Sequence, residues 1–213
     1  MNFDPTLYFI TDSTNVPEDR LLMTVDRACA GGASLVQVRE KNRSGKEYLC
    51  LARAVKAVTD RHHVPLIIDD RADIALASGA AGVHVGTEDL PVAEARKLLG
   101  PDRIVGATAK TVERALQAQA EGADYLGVGA IYPTTTKVVT VITEVSTLKD
   151  ICRAVTIPVC AIGGLNPVNC DVLEGTGISG ICVVSAIMKS EDPERTARHL
   201  REVSEKLRGG MPR

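Results

Sequence analysis

Val112-Glu113-Arg114-Ala115-Leu116-Gln117-Ala118 runs on to Gly122-Ala123-Asp124 and then to Tyr125-Leu126-Gly127-Val128. In the first segment apolar groups recur three and four residues apart, the spacing of one helix face. The last is short and mainly apolar, as a strand covered on both faces should be. Gly122 falls where a helix end calls for a left-handed residue. The same punctuation recurs at Gly32-Ala33-Ser34, Gly79-Ala80-Ala81 and Gly177-Ile178-Ser179, at intervals of about 43 to 55 residues, the span of a supersecondary repeat. Leu35-Val36-Gln37-Val38 and Ile181-Cys182-Val183-Val184 read as strands in the same way. Further strand starts lie between, at Val64-Pro65-Leu66, Asp102-Arg103-Ile104 and Ile157-Pro158-Val159, so each long period holds two strand-helix units. With Leu7-Tyr8-Phe9-Ile10 at the front, the count is about eight, the number that closes a parallel (β/α)8 TIM barrel.

The 213 residues suit one such barrel, and residues 1–213 are read as a single domain with a frayed tail over 208–213. A formal net charge of −2 gives no reason to expect nucleic acid as a partner, so any positive site must be local. Met1-Asn2-Phe3-Asp4-Pro5 lacks a basic segment followed by an apolar one, and no apolar run approaches the roughly 18 residues of a membrane span. The expectation is a soluble, cytoplasmic protein with no membrane partner; homo-oligomerisation stays open. Cys29, Cys50, Cys152, Cys160, Cys170 and Cys182 are scattered without a C-x-x-C pair and read as reduced thiols.

In a parallel barrel the chemistry lies just past the carboxyl ends of the strands. Polar residues concentrate there. After the second strand comes Gln37-Val38-Arg39-Glu40-Lys41, whose period of two points Gln37, Arg39 and Lys41 to one side if the chain stays extended. One amide and two cations suit a polyanion, guanidinium as a planar fork and ammonium as a compact charge. A solvated charged loop is the alternative. Asp69-Asp70 ends the third strand and Glu88-Asp89 follows the fourth. Asp70 and Asp89 on adjacent strands would suffice for Mg²⁺, which takes one or two carboxylates plus phosphate oxygens and water. Both also precede helical segments, so capping is an equal reading.

The sixth strand leads into Thr134-Thr135-Thr136-Lys137, hydroxyls that can donate to phosphate followed by a cation; a plain polar surface loop is the alternative. Gly163-Gly164 after the seventh strand and Val184-Ser185 after the eighth stand where barrels build phosphate sites from backbone amides, although a glycine pair also makes an ordinary tight turn. His84, inside a strand run with no partner visible in the sequence, reads as structural.

These residues bring in a resemblance. From about Leu7 to Leu200 the chain resembles the thiamine phosphate synthase family, through Gln37-Val38-Arg39-Glu40-Lys41, Ile67-Ile68-Asp69-Asp70-Arg71, His84-Val85-Gly86-Thr87-Glu88-Asp89-Leu90-Pro91, Pro133-Thr134-Thr135-Thr136-Lys137, Ala161-Ile162-Gly163-Gly164 and Val184-Ser185-Ala186-Ile187. The resemblance implies a transferase that joins a hydroxymethylpyrimidine diphosphate to a phosphorylated hydroxyethylthiazole with Mg²⁺, releasing pyrophosphate. It places Gln37, Val38, Arg39, Glu40, Lys41, Asp69, Thr108 and Lys137 on the pyrimidine diphosphate, with Arg39, Lys41, Lys137 and Thr108 carrying catalysis. Asp70 and Asp89 fall on the metal; Thr134, Thr135, Thr136, Gly164, Val184 and Ser185 fall on the thiazole phosphate. Four positions depart from the family pattern. Asp69 stands for a usual asparagine, Thr108 for a common serine, and Val139 and Glu144 lie where an acidic residue and a glycine are usual.

Overall fold

A computed structural model describes residues 3–134 and 141–209 of the chain. Eight parallel strands close into a barrel in sequence order: β1 (Leu7–Ile10), β2 (Leu35–Val38), β3 (Leu66–Asp69), β4 (Gly82–Val85), β5 (Ile104–Ala109), β6 (Tyr125–Gly129), β7 (Val159–Ile162) and β8 (Gly180–Val183). The ring closes where Tyr8 of β1 pairs with Leu35 on one side and Cys182 on the other. Helices follow the first six strands: α1 (Glu18–Ala30), α2 (Gly45–Arg61), α3 (Ala72–Ser78), α4 (Val92–Leu99), α5 (Val112–Ala120) and α6 (Val145–Ala154). Between β7 and β8 the link holds only a single 3₁₀ turn, Cys170–Leu173, where the repeat reading implied a further helix. After β8 come the short α7 (Ser185–Met188) and α8 (Pro193–Gly209).

Strand periodicity sorts the core into two layers. Leu7, Phe9, Val36, Val38, Leu66 and Ile68 point outward and pack under the helices with Leu21, Val25, Leu51 and Val55. Tyr8, Ile10, Leu35, Ile67, Ile104, Tyr125, Cys160 and Cys182 point inward and fill the barrel. Leu51 is fully buried, and its truncation to alanine in this outer layer would cost about 2–5 kcal/mol. All six cysteines carry free thiols. Among the described residues no helix is long and apolar enough to cross a membrane.

The last turn of α8 falls within the tail expected to fray, of which residues 210–213 lie outside the described residues. The helix runs through Gly209, and the Arg208 guanidinium reaches Asp4 and the Thr6 hydroxyl. A cation in the last turn, favoured by the helix dipole, ties that turn to the segment leading into β1.

Candidate active site

A cavity of about 350 Å³ opens at the carboxyl ends of the strands. Its β2–β4 side is built from side chains. Tyr48 of α2 is buried, and its hydroxyl faces the carbonyls of Val38 (2.8 Å) and Asp69 (3.2 Å), drawing the ends of β2 and β3 together. The chain between β2 and α2 is held at its far end by a capping box. Ser44 Oγ accepts from the Glu47 amide, and the Ser44 amide donates to Glu47 Oε2 at 2.9 Å.

Gln37, Arg39 and Lys41 all reach the cavity, as their spacing predicts. Val38 and Glu40 between them do not line it. Val38 is fully buried in the outer layer, because residues one apart in a strand face opposite ways. Glu40 is drawn the other way: its Oε2 accepts from Ser13 Oγ at 2.7 Å and from Arg43 Nε at 3.2 Å. A substrate contact at either position would have to come from the backbone.

Asp69, Asp70 and Asp89 face the same space. Lys41 Nζ lies 2.9 Å from Asp69 Oδ2 and also pairs with Asp70, while Arg39 Nε is 3.8 Å from Asp69 Oδ2. The extra carboxylate at position 69 is therefore matched by two cations, although burial still pushes its pKa up against their pull. Asp70 adopts a positive φ of 60°, uncommon outside glycine, with its amide donating to the His84 carbonyl at 2.8 Å. Neither Asp70 nor Asp89 caps a helix. The residues preceding α3 and α4 are Arg71 and Pro91, with no side-chain cap bond at either. Asp89 Oδ2 instead accepts from the Gly86 amide at 2.8 Å, closing the turn after β4. Burial, then the facing Asp70, raise the Asp89 pKa.

Two carboxylates that face each other this way fit a divalent cation. Among the described residues no cluster of three or more His, Cys, Asp or Glu could hold a metal, and a cation at this carboxylate pair would leave room for water and phosphate oxygens. That is the habit of Mg²⁺, which keeps water and binds through substrate phosphates.

The β6–β8 side is mostly backbone. Ile162, Gly163, Gly164, Val184 and Ser185 line it, with Thr134 from the chain after β6. Gly163 and Gly164 have φ of 106° and 66°. A Cβ on Gly164 would approach the Tyr132 Cβ to 2.6 Å and the Pro133 carbonyl oxygen to 2.9 Å, so the turn requires glycine on both counts. Ser185 opens α7 at the cavity wall. Thr135, Thr136 and Lys137 lie outside the described residues. The segments flanking them meet at Ala130, which accepts from the Thr143 amide at 2.8 Å.

Lys110 and Thr87, which were given no role from sequence, also line the cavity, as does Glu88 beside Asp89. Tyr8, likewise given no role, forms its floor together with His84, the residue read from sequence as structural. His84 does have partners, the hydroxyls of Tyr125 and Thr108. They lie 41 and 24 residues away, so nothing local in the sequence could announce them.

A closed parallel barrel with cations and carboxylates on one side of its mouth and a glycine turn on the other is the architecture of a (β/α)8 enzyme. The model of the thiamine monophosphate synthase family matches residues 7–187. The chain belongs to that family. It is 54% identical over 188 residues to thiamine-phosphate synthase 2 of Streptococcus pneumoniae, covering 88% of this chain and 90% of that one. The thiamine-phosphate synthase of Clostridium tetani is 48% identical over 199 residues, 93% of this chain and 95% of its own. Among solved structures, thiamine phosphate pyrophosphorylase from Pyrococcus furiosus superposes with a TM-score of 0.86 at 37% identity, covering 96% of this chain and 97% of that one.

Proposed function

We infer that this chain is a thiamine phosphate synthase, a transferase that condenses 4-amino-2-methyl-5-hydroxymethylpyrimidine diphosphate with 4-methyl-5-(2-phosphoethyl)thiazole, or its carboxylated form. The products are thiamine phosphate and pyrophosphate, with CO₂ from the carboxylated substrate. The observation that carries this reading is the convergence of Arg39, Lys41, Asp69, Asp70 and Asp89 on one wall of a cavity whose opposite wall is Gly164, Val184 and Ser185. One wall suits a diphosphate with its counter-ion, and the other a monophosphate held by backbone.

The bond between the pyrimidine methylene and the diphosphate oxygen breaks with its electron pair leaving on oxygen. The thiazole nitrogen then donates its lone pair to the methylene carbon. Arg39 and Lys41 bind and neutralise the leaving group, joined in this proposal by Lys137. At an effective dielectric near 20 a contact pair of unit charges is worth about 4 kcal/mol before desolvation, so a few such contacts supply a large part of the barrier reduction. Lys41 pairs with Asp69 and Asp70 in the free protein, so it would exchange carboxylate for phosphate oxygens as the substrate enters. Gln37 and Thr108 hold the pyrimidine half; Thr134, Thr135, Thr136, Gly164, Val184 and Ser185 hold the thiazole phosphate. Asp70 and Asp89 would hold Mg²⁺, which supplies charge neutralisation on the diphosphate when bound. The whole reaction uses small phosphorylated molecules, and the proposal places it in the cytoplasm.

The test is direct. Purified protein given both phosphorylated halves and Mg²⁺ should release pyrophosphate in step with thiamine phosphate. Tight binding of either half with no product would convert the reading to a non-catalytic sensor. Turnover of the thiazole alone, with no need for the diphosphate, would point to a tautomerase.

A further inference from the structure

Beneath the charged wall, the barrel interior holds a row of polar side chains running from Gln37 to Thr108, whose middle members the condensation as described leaves without a role. Tyr8 of β1 and Tyr125 of β6 are both buried, with ring centroids 5.7 Å apart and planes at 79°. The His84 ring lies 5.5 Å from that of Tyr125. Neighbouring strands make room for these rings. A Cβ on Gly106 would run into the Tyr125 ring, and one on Gly127 would stand 3.2 Å from His84 Cε1.

The polar atoms form one unbroken row. Gln37 Nε2 donates to the Tyr8 hydroxyl at 2.6 Å, and the Tyr8 and Tyr125 hydroxyls are 2.7 Å apart. His84 Nδ1 is 3.1 Å from the Tyr125 hydroxyl, and His84 Nε2 is 3.0 Å from Thr108 Oγ1. Donor chemistry sets the direction of the row. An amide nitrogen only donates, so Tyr8 accepts from Gln37 and directs its own proton to Tyr125. Tyr125 then donates to Nδ1, which must be bare. A neutral imidazole that accepts at Nδ1 carries its one proton on Nε2. That N–H points at Thr108. With its oxygen already accepting, the Thr108 hydroxyl has its proton left for the cavity it lines.

We propose that His84 is a positioning residue, locked as the Nε2–H tautomer by the Tyr8–Tyr125 pair, and that it commits the Thr108 hydroxyl as a hydrogen-bond donor to an acceptor atom of the pyrimidine diphosphate. The relay stands on geometry, whereas the identity of its ligand rests on the function proposed above. It carries a specificity: an acceptor atom opposite Thr108 meets the hydroxyl proton directly and is favoured, whereas an N–H there is left only the second lone pair of the oxygen.

The experiment begins without substrate. Two-bond ¹H–¹⁵N correlation spectra of ¹⁵N-histidine protein, with His84 assigned by its loss in His84→Gln, should show Nδ1 unprotonated and Nε2 protonated. Tyr125→Phe removes the donor to Nδ1 and should move His84 toward a mixture of tautomers. In steady-state kinetics, Tyr125→Phe and His84→Leu should each lower kcat/KM for the pyrimidine diphosphate about tenfold while KM for the thiazole phosphate stays put. His84→Gln, which restores an N–H near the Nε2 position, should recover most of that loss. An Nδ1–H tautomer in the free protein overturns the relay, as do unaltered His84 shifts in Tyr125→Phe. A protein with the expected tautomer that releases no pyrophosphate from the two substrates overturns the functional reading and the ligand half of this proposal, and leaves the relay itself intact.

Discussion

The two walls of the mouth are built on different principles. On the β2–β4 side the work is done by charged side chains, each held by partners of its own: Lys41 on Asp69 and Asp70, Arg39 near Asp69, Asp89 on the Gly86 amide. On the β6–β8 side it is done by main chain, with Gly163 and Gly164 in left-handed conformations and Ser185 at the start of α7. A charged wall tolerates small changes of backbone, because long side chains can readjust, but it fails when a charge is removed. A backbone wall tolerates changes of charge and fails when a Cβ is added.

The largest expected effect follows from removing a charge. Asp89→Ala should lose on the order of 100-fold in Mg²⁺-dependent turnover while circular dichroism reports an intact fold. It should also raise the Mg²⁺ concentration needed for half-maximal rate. Unchanged activity would return Asp89 to the role of closing the turn after β4 and would break the contrast between the walls. A smaller effect is expected from adding a methyl to the other wall. Gly164→Ala forces an alanine to φ of 66° against Tyr132, which should raise KM for the thiazole phosphate about tenfold and cost about 1–3 kcal/mol of stability by denaturant titration. KM for the pyrimidine diphosphate should hardly move; equal damage to both constants would mean that the walls are not separable.

A third effect concerns the floor and is read in stability, with no change in turnover required. His84 ionises near 4 in the folded protein and near 6.5 when exposed, because burial penalises its charged form. As pH falls through 6.5 the unfolded chain takes up this proton first, so the folded state loses stability between about pH 6.5 and 4, by at most about 3 kcal/mol, and no further below that. Thermal melts of wild type and His84→Gln across this window should converge at acid pH as the wild type gives up its advantage. Parallel curves would show that His84 is not held neutral.

Much of the charged wall was legible in the sequence, for a physical reason. Arg39 and Lys41 are two apart beyond a strand, and the pleat carries both to one side, as it does Gln37. Asp70 and Asp89 follow neighbouring strands, and in this barrel strands adjacent in sequence are adjacent in space. Capping and metal binding could not be separated at that level, since both want a carboxylate in the same place. Only the backbone shows that the residues before α3 and α4 are Arg71 and Pro91. The side chain of Glu40 could not be placed for a similar reason. Its charge suits the site, but Ser13 and Arg43 hold it elsewhere, and Ser13 comes from a different loop.

By itself, the order of apolar and polar residues determined the eight strands, their parallel closure and which strand ends carry charge, because these depend on periodicities of two and 3.6 that act within one element. The floor of the cavity was decided only by the tertiary structure. Tyr8, Gln37, His84, Thr108 and Tyr125 come from five strands and meet because inward-facing residues of a closed barrel share one interior, where hydrogen bonds must be made across the sheet or not at all.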